Sequence, residues 1–169
     1  MKGLVVTNKD RRMVEAILAI EDLFPKKLMY GESDIRDNLE NKNNMNIIAE
    51  DDDGNIIGYA LFIPHEDAVK FLRTDDPLME YNYKKTAYLD QIAVVKDIGV
   101  DRYLVFNFLL ECLGIEAIKR GYEQWSSHIA IPIDIIIRKK YNGKIFTKKT
   151  RQVKMPSYDG IFIYMEGLP

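Results

Sequence analysis

A mostly apolar segment over residues 86–95 is followed, after a short polar loop, by a long segment over residues 102–120 in which apolar residues recur at regular intervals. The first segment is short and mixes β-branched with aromatic residues, which is typical of a buried strand. The second spaces its apolar residues three and four positions apart and ends on two cations before Gly121, a common helix end. The pair predicts a strand, a loop and a helix, and so favours a fold that mixes both elements.

Further patterns extend this arrangement over the whole chain. Turn residues at 52–55 predict a hairpin, and Ser33 is a candidate helix cap. The expected order is β-α-α-β-β-loop-β-α-β-α-β-β, in a single α/β (α+β) domain over residues 1–169 with a mixed, mostly antiparallel sheet and helices on both faces. Strands are expected at residues 3–7, 46–50, 56–63, 86–95, 125–131, 144–153 and 161–166. Helices are expected at 11–24, 33–40 and 102–120, with a short helix or turn at 134–141 and one or two helical turns at 66–72 within the loop.

Composition narrows the classes of function. The chain of 169 residues has one cysteine and two histidines, so no disulfide within the chain and no metal site are expected. Its net charge of -2 argues against a nucleic-acid binder. No apolar run approaches the ~20 residues that span a bilayer, and we expect a cytoplasmic protein without a membrane partner. The closing strands could pair between subunits, which leaves a homodimer open.

One stretch departs from this even balance of charge. Residues 138–154 contain eight basic residues, among them Arg138 and Arg151, and no acidic residue. Such a stretch suits either an anion-facing surface, for phosphates or an acidic partner, or the solvated face of a strand and a helix end.

The junction at residues 92–104 is the best candidate for a binding site. It passes from a strand through a polar loop with one glycine into a helix, where unbonded N–H groups and the positive end of the helix dipole attract anions. Lys96 and Arg102 could add positive charge from either side.

The run Tyr88-Leu89-Asp90-Gln91-Ile92-Ala93-Val94 and the order of elements resemble the GNAT superfamily of N-acetyltransferases. The resemblance implies that this strand binds the pantetheine arm of acetyl-coenzyme A, and that Lys96 to Asp101 match the pyrophosphate loop. The coenzyme-binding residues that it implies are Ile92, Ala93, Val94, Lys96, Ile98, Gly99, Val100, Asp101, Arg102 and Tyr103.

Two positions differ from the pattern of that family. Asp101 replaces a small residue, and its carboxylate would either repel a diphosphate or cap the following helix and point aside. The tyrosine that often protonates the departing thiolate is missing at Arg138 or Lys139, and Tyr141 is the nearest candidate. These departures motivate an alternative, a degenerate scaffold that binds a partner or ligand without catalysis.

The implied reaction is direct attack of a small-molecule or peptide amine on the thioester, with a carboxylate as base. Asp90 is the preferred base and Glu50, at the end of another strand, is the second. Asp90 is equally well explained as a structural partner of Lys84 or Lys85.

Other reactive residue types are better explained by structure. We expect His65 in an exposed loop, His128 as a hydrogen-bonded sheet residue and Cys112 as a buried, inert thiol. Tyr81, Tyr83 and Tyr88 are candidates to line an acceptor pocket beside the irregular segment 64–85, and are equally well explained as tyrosines that close a core from outside.

Overall fold

A computed structural model describes residues 1–6, 11–22, 24, 26–81, 85–95, 99, 101–130 and 147–168. Seven strands and four α helices lie within these ranges, and two 3₁₀ turns occur at Lys26–Leu28 and Pro156–Tyr158. The strands are β1 Lys2–Val6, β2 Met45–Glu50, β3 Ile56–Pro64, β4 Thr86–Val94, β5 Gln124–Ala130, β6 Thr147–Met155 and β7 Gly160–Gly167. The helices are α1 Arg11–Glu21, α2 Glu32–Glu40, α3 His65–Leu72 and α4 Arg102–Lys119.

The described strands form one seven-stranded sheet in the order β1-β2-β3-β4-β5-β7-β6. The neighbouring strands β1–β2, β2–β3, β5–β7 and β6–β7 are antiparallel, whereas β4 and β5 run parallel. The predicted mixed, mostly antiparallel sheet with helices is confirmed. The contacts within the chain form two compact units, so a single domain and helices on both faces stay predictions.

The first unit comprises Met1–Phe62 and Gln91–Glu116 and has an apolar core. Periodic apolar positions explain its helices, because each buries one stripe of side chains. Gly58 of β3 allows close packing, since a Cβ there would lie 2.9 Å from Leu109 and 3.1 Å from Val105 of α4. The core side chains include Val14, Ile17, Ile20, Ile35, Leu39, Ile47, Ile48, Val105, Leu109 and Leu113.

The second unit comprises Ile63–Asp90 and Ala117–Pro169. Its strands β5, β7 and β6 are ordinary antiparallel neighbours, and the pair of β5 with β7 joins His128 to Tyr164 and Ser126 to Glu166. The buried residues of this unit include many polar side chains, namely His65, Asp75, Asp76, Thr86, Ser126, Ser127 and Glu166. Polar groups buried in this way need hydrogen-bond partners, and those partners define the candidate site.

Two local predictions are wrong. Helix α2 is preceded by Gly31 rather than capped by Ser33, and the Gly31 N–H donates to the Asp34 carboxylate at 2.9 Å. Arg151 does not belong to a solvated basic face, because its guanidinium is paired with the buried Asp76. The predicted helix at residues 134–141 lies outside the described residues.

Candidate functional site

The parallel strands β4 and β5 part after a short contact. They pair at Thr86 with Gln124, Ala87 with Trp125, and Tyr88 with Ser126. Residues 89 and 90, the last described residues of β4 in the second unit, are not paired with β5. Just beyond the last pair, the Ser127 hydroxyl donates to the Leu89 carbonyl oxygen at 2.8 Å. The strands therefore separate at a point rich in buried polar groups.

A chain of four buried or half-buried side chains leads away from this point. Tyr88 Oη lies 2.9 Å from His128 Nδ1, and His128 Nε2 lies 2.9 Å from Asp76 Oδ2. Arg151 also donates to Asp76 and lies over the ring of Tyr164, 4.5 Å from its centroid. Because a carboxylate can only accept hydrogen bonds, His128 Nε2 carries the ring proton and donates it to Asp76. Nδ1 of the neutral ring then accepts a hydrogen bond from the Tyr88 hydroxyl.

The charge states of this chain follow from burial and neighbours. Burial lowers the pKa of His128 below its ordinary value, although Asp76 opposes this, so the ring is neutral near pH 7. Burial raises the pKa of Asp76, but hydrogen bonds from Arg151 and His128 lower it more, and the net pKa lies below the ordinary value. Burial, and then the charge of Asp90, raise the pKa of Tyr88 well above its ordinary value. The hydroxyl therefore stays protonated.

His65 is buried rather than exposed, so its predicted place in an exposed loop is wrong. It opens helix α3, its exposed fraction is 1%, and its Nδ1 lies 2.7 Å from Ser126 Oγ. Its Nε2 lies 3.2 Å from the Glu80 carbonyl oxygen and must be the donor there. Burial lowers the pKa of His65 despite that bond and the charge of Glu166.

The two buried histidines predict acid sensitivity. Because their pKa values are lowered in the folded chain, the unfolded chain binds more protons below its histidine pKa of 6.5. The free energy of unfolding should be highest above about pH 6.5 and fall as the pH drops below it, by at most about 1.4 kcal/mol per pH unit and histidine. Urea unfolding at pH 7.5, 6.5 and 5.5 measures this. His65→Gln should reduce the slope, and equal stability at all three pH values would contradict the prediction.

The predicted bases lie in different units. Asp90 is a half-buried residue of β4 in the second unit, and its charge raises the pKa of both Tyr88 and Tyr158. Glu50 ends β2 in the first unit, half-buried beside an irregularity of the ladder, where it pairs with Lys2 and Ile56. Asp90 thus adjoins the polar chain that includes Tyr88.

The predicted coenzyme-binding segment is described in part. Ile92 and Ala93 are half-buried on β4 and Val94 is buried, whereas Asp101, Arg102 and Tyr103 are exposed at the start of α4. Gly99 has φ +66°, a left-handed conformation that favours glycine. Lys96, Ile98 and Val100 lie outside the described residues, as does Tyr141.

Asp101 caps helix α4, which is the milder of the two interpretations of this residue. Its Oδ1 accepts the Tyr103 N–H at 2.9 Å, and its carbonyl oxygen accepts the N–H groups of Leu104 and Val105 at 2.9 and 3.3 Å. The carboxylate thus satisfies one of the N–H groups that a helix start leaves unbonded.

The remaining candidates have different surroundings. Tyr81 is exposed under the guanidinium of Arg73, Tyr88 is buried, and Tyr83 lies outside the described residues. Burial, and then Glu111, raise the pKa of the half-buried Cys112, which suits an inert thiol. Within the described residues, no cluster of three potential metal ligands occurs. None of the helices described there has the length and apolarity to span a membrane.

Sequence reasoning missed the linked side chains around His128. Asp76 and Arg151 are 75 residues apart, and no local pattern joins them. One signal was available, because Ser126, Ser127 and His128 interrupt an otherwise apolar strand with three consecutive polar residues.

The fold is that of the GNAT N-acetyltransferases. The chain is similar to a ribosomal-protein-alanine N-acetyltransferase from Brucella melitensis, with a TM-score of 0.70, 16% identity and full coverage of both chains. It is also similar to the ribosomal-protein-S18-alanine N-acetyltransferase from Escherichia coli, with a TM-score of 0.64, 18% identity, and coverage of 98% of this chain and 92% of the other. An aminoglycoside 6'-N-acetyltransferase from Enterococcus faecium gives a TM-score of 0.67 at 11% identity, with coverage of 99% and 97%. No family model and no curated protein matches the sequence. The resemblance to the GNAT superfamily is thus confirmed for the fold.

Proposed function

We propose that this chain is an acetyl-coenzyme A-dependent N-acetyltransferase that acetylates a primary amine by direct attack. The observation that carries the proposal is the short parallel contact of β4 with β5, which ends at Tyr88 and Ser126, in a chain that matches N-acetyltransferase folds over its whole length. In the proposed enzyme, the coenzyme arm would bind along β4 beyond the point where its pairing with β5 ends.

The coenzyme would be held by the predicted segment from β4 to the start of α4. A Cβ added at Gly99 would have no atom of a described residue within 4 Å, and a backbone without a side chain would allow the close approach of a phosphate. Arg102 follows with a positive charge. The coenzyme supplies an activated acyl group as its thioester when bound. The residues proposed to hold it are Ile92, Ala93, Val94, Lys96, Ile98, Gly99, Val100, Asp101, Arg102 and Tyr103.

Asp90 is the proposed base, with Glu50 as the second candidate. The Asp90 carboxylate would accept a proton from the substrate ammonium, so that the free amine can form the new C–N bond as the C–S bond breaks. Backbone N–H groups of β4 would stabilise the developing oxyanion. Tyr141 remains the proposed donor of a proton to the departing thiolate.

The acceptor is proposed to be a small-molecule or peptide amine. The similar structures differ in their named acceptors, which are a ribosomal protein, an aminoglycoside and spermidine. The sequence further supports the cytoplasm as compartment and leaves a homodimer open. A screen of these three amine classes, with release of free thiol as the signal, would identify the acceptor class.

Calorimetric titration with acetyl-coenzyme A tests the proposal directly. Micromolar binding is expected, and coenzyme lacking the 3′-phosphate should bind more weakly if a basic residue contacts that group. Absence of binding to the parent chain would overturn the proposed function.

One observation favours the second candidate, a degenerate scaffold that binds a ligand or partner without catalysis. Asp101 directs its carboxylate to the Tyr103 N–H, the kind of group that a diphosphate would otherwise use.

The variant Asp101→Gly separates the two candidates. For a working enzyme we expect its acetyl-coenzyme A Kd to stay within about threefold of the parent value, because an exposed charge is well screened. A gain of more than about tenfold would indicate a decayed site, since that factor equals about one good hydrogen bond. Asp101→Asn is the matched control, because it removes the charge and keeps a capping oxygen.

A further inference from the structure

The separation of β4 from β5 has a defined hydrogen-bond pattern. The Gln124 N–H donates to the Lys85 carbonyl oxygen at 3.3 Å, the start of the parallel ladder. A parallel ladder repeats every two residues on each strand. Two such repeats after Gln124 and Lys85, a continuing ladder would form a bond between the His128 N–H and the Leu89 carbonyl oxygen.

In the structure, Asp90 and His128 do not form the strand pair to which this bond would belong, and both backbone groups bond to side chains. The Leu89 carbonyl oxygen accepts the Ser127 hydroxyl at 2.8 Å, and the His128 N–H donates to Tyr88 Oη at 3.3 Å. Two hydroxyl groups therefore replace one ladder bond. Both hydroxyls belong to buried residues, with exposed fractions of 4% for Tyr88 and 3% for Ser127.

With this replacement, the two strands would gain no hydrogen bond for these backbone groups by closing. A buried backbone N–H or carbonyl group without a partner costs about 1–3 kcal/mol, so strands without these hydroxyls would recover the loss by forming the direct bond. With the hydroxyls in place, both groups are satisfied while the strands stay apart.

The Tyr88 hydroxyl is itself fixed in place. It donates to His128 Nδ1 at 2.9 Å, while His128 Nε2 is held 2.9 Å from Asp76. The side chains of His128 and Asp76 are each 2% exposed, and Arg151 compensates the charge of Asp76. Because the Tyr88 hydroxyl donates its proton to this fixed ring, its oxygen presents a lone pair to the His128 N–H and keeps that hydrogen bond.

We propose that Tyr88 and Ser127 are positioning residues that hold β4 and β5 apart for the coenzyme arm. The proposal rests on the acyl-transfer function proposed above, and it adds two residues that act through the backbone rather than on the reacting atoms.

The double variant Tyr88→Phe/Ser127→Ala tests it with two readouts. In deuterated protein, NMR detects a coupling across a hydrogen bond between the His128 amide nitrogen and the Leu89 carbonyl carbon. We expect this coupling to be absent in the parent and present in the variant. The acetyl-coenzyme A Kd should rise at least about tenfold, the equivalent of one lost hydrogen bond.

The controls separate the possible failures. Ser127→Thr keeps its hydroxyl and Ser157→Ala removes an exposed one, so both should bind acetyl-coenzyme A like the parent. If the double variant does not fold, Ser127→Ala alone carries both readouts, with a Kd rise of at least about threefold expected for a partly uncapped strand.

A coupling that stays absent overturns the proposal. A coupling that appears with an unchanged Kd overturns the role toward the coenzyme but leaves acetyl-coenzyme A binding intact. Failure of the parent to bind overturns the proposed function, and the coupling then still decides whether the hydroxyls keep the strands apart.

Discussion

Asp76→Ala should lower the free energy of unfolding by about 3–5 kcal/mol, because it removes one partner of a buried ion pair. Asp76 is 1% exposed and accepts hydrogen bonds from both His128 and Arg151. Its loss would leave a half-buried guanidinium uncompensated and the Nε2–H of His128 without an acceptor. Urea unfolding at pH 7.5 measures the change.

Two further variants make this result specific. Asp76→Asn keeps the shape and one acceptor oxygen and should cost less than the alanine variant. Asp67→Asn removes a carboxylate from the ion pair with Lys70 on α3, whose side chains are 33% and 66% exposed, and should change stability by less than about 1 kcal/mol. A cost for Asp76→Ala no larger than that of Asp67→Asn would show that the buried pair contributes little.

Asp90→Asn should reduce kcat by about 10²-fold or more, the usual contribution of general base catalysis. The substitution keeps the size of the side chain and removes its ability to take a proton. The acetyl-coenzyme A Kd should remain within about twofold, because the coenzyme-binding residues proposed above are untouched. Steady-state kinetics with an accepted amine, combined with calorimetry, separates these quantities.

Glu50→Gln is the matched comparison for the base. It neutralises the other candidate carboxylate and should leave kcat near the parent value. The reverse result, with a normal Asp90→Asn enzyme and a slow Glu50→Gln enzyme, would assign the base to Glu50. Normal rates in both variants would exclude both carboxylates.

The sequence predicted the fold well where periodicity was strong. The apolar spacing at residues 102–120 predicted α4 to within one residue of Arg102–Lys119, and the turn residues at 52–55 lie between β2 and β3. Local patterns of this kind reflect which side of an element is buried, and burial decides most of its structure.

Prediction failed where long-range contacts decide. His65 has the local context of an exposed loop, yet it bonds to Ser126, 61 residues away. Ser33 is a good capping residue by type, but helix α2 begins one residue before it, at Glu32. For the proposed site, the strand and the capping role of Asp101 could be foreseen, whereas the linkage of Tyr88, His128 and Asp76 could not.

The different cores of the two units have a calorimetric consequence. Exposure of apolar surface raises the heat capacity on unfolding, and exposure of polar surface lowers it. Among the described residues both units bury apolar side chains, but the first buries more of them, such as Ile17, Ile48 and Leu109, and the second buries more polar ones, such as His65, Asp76 and Ser126. The first unit should therefore contribute more of the heat capacity increment. Since hydrophobic stabilisation weakens on cooling, that unit is the one that loses more of its stability in the cold.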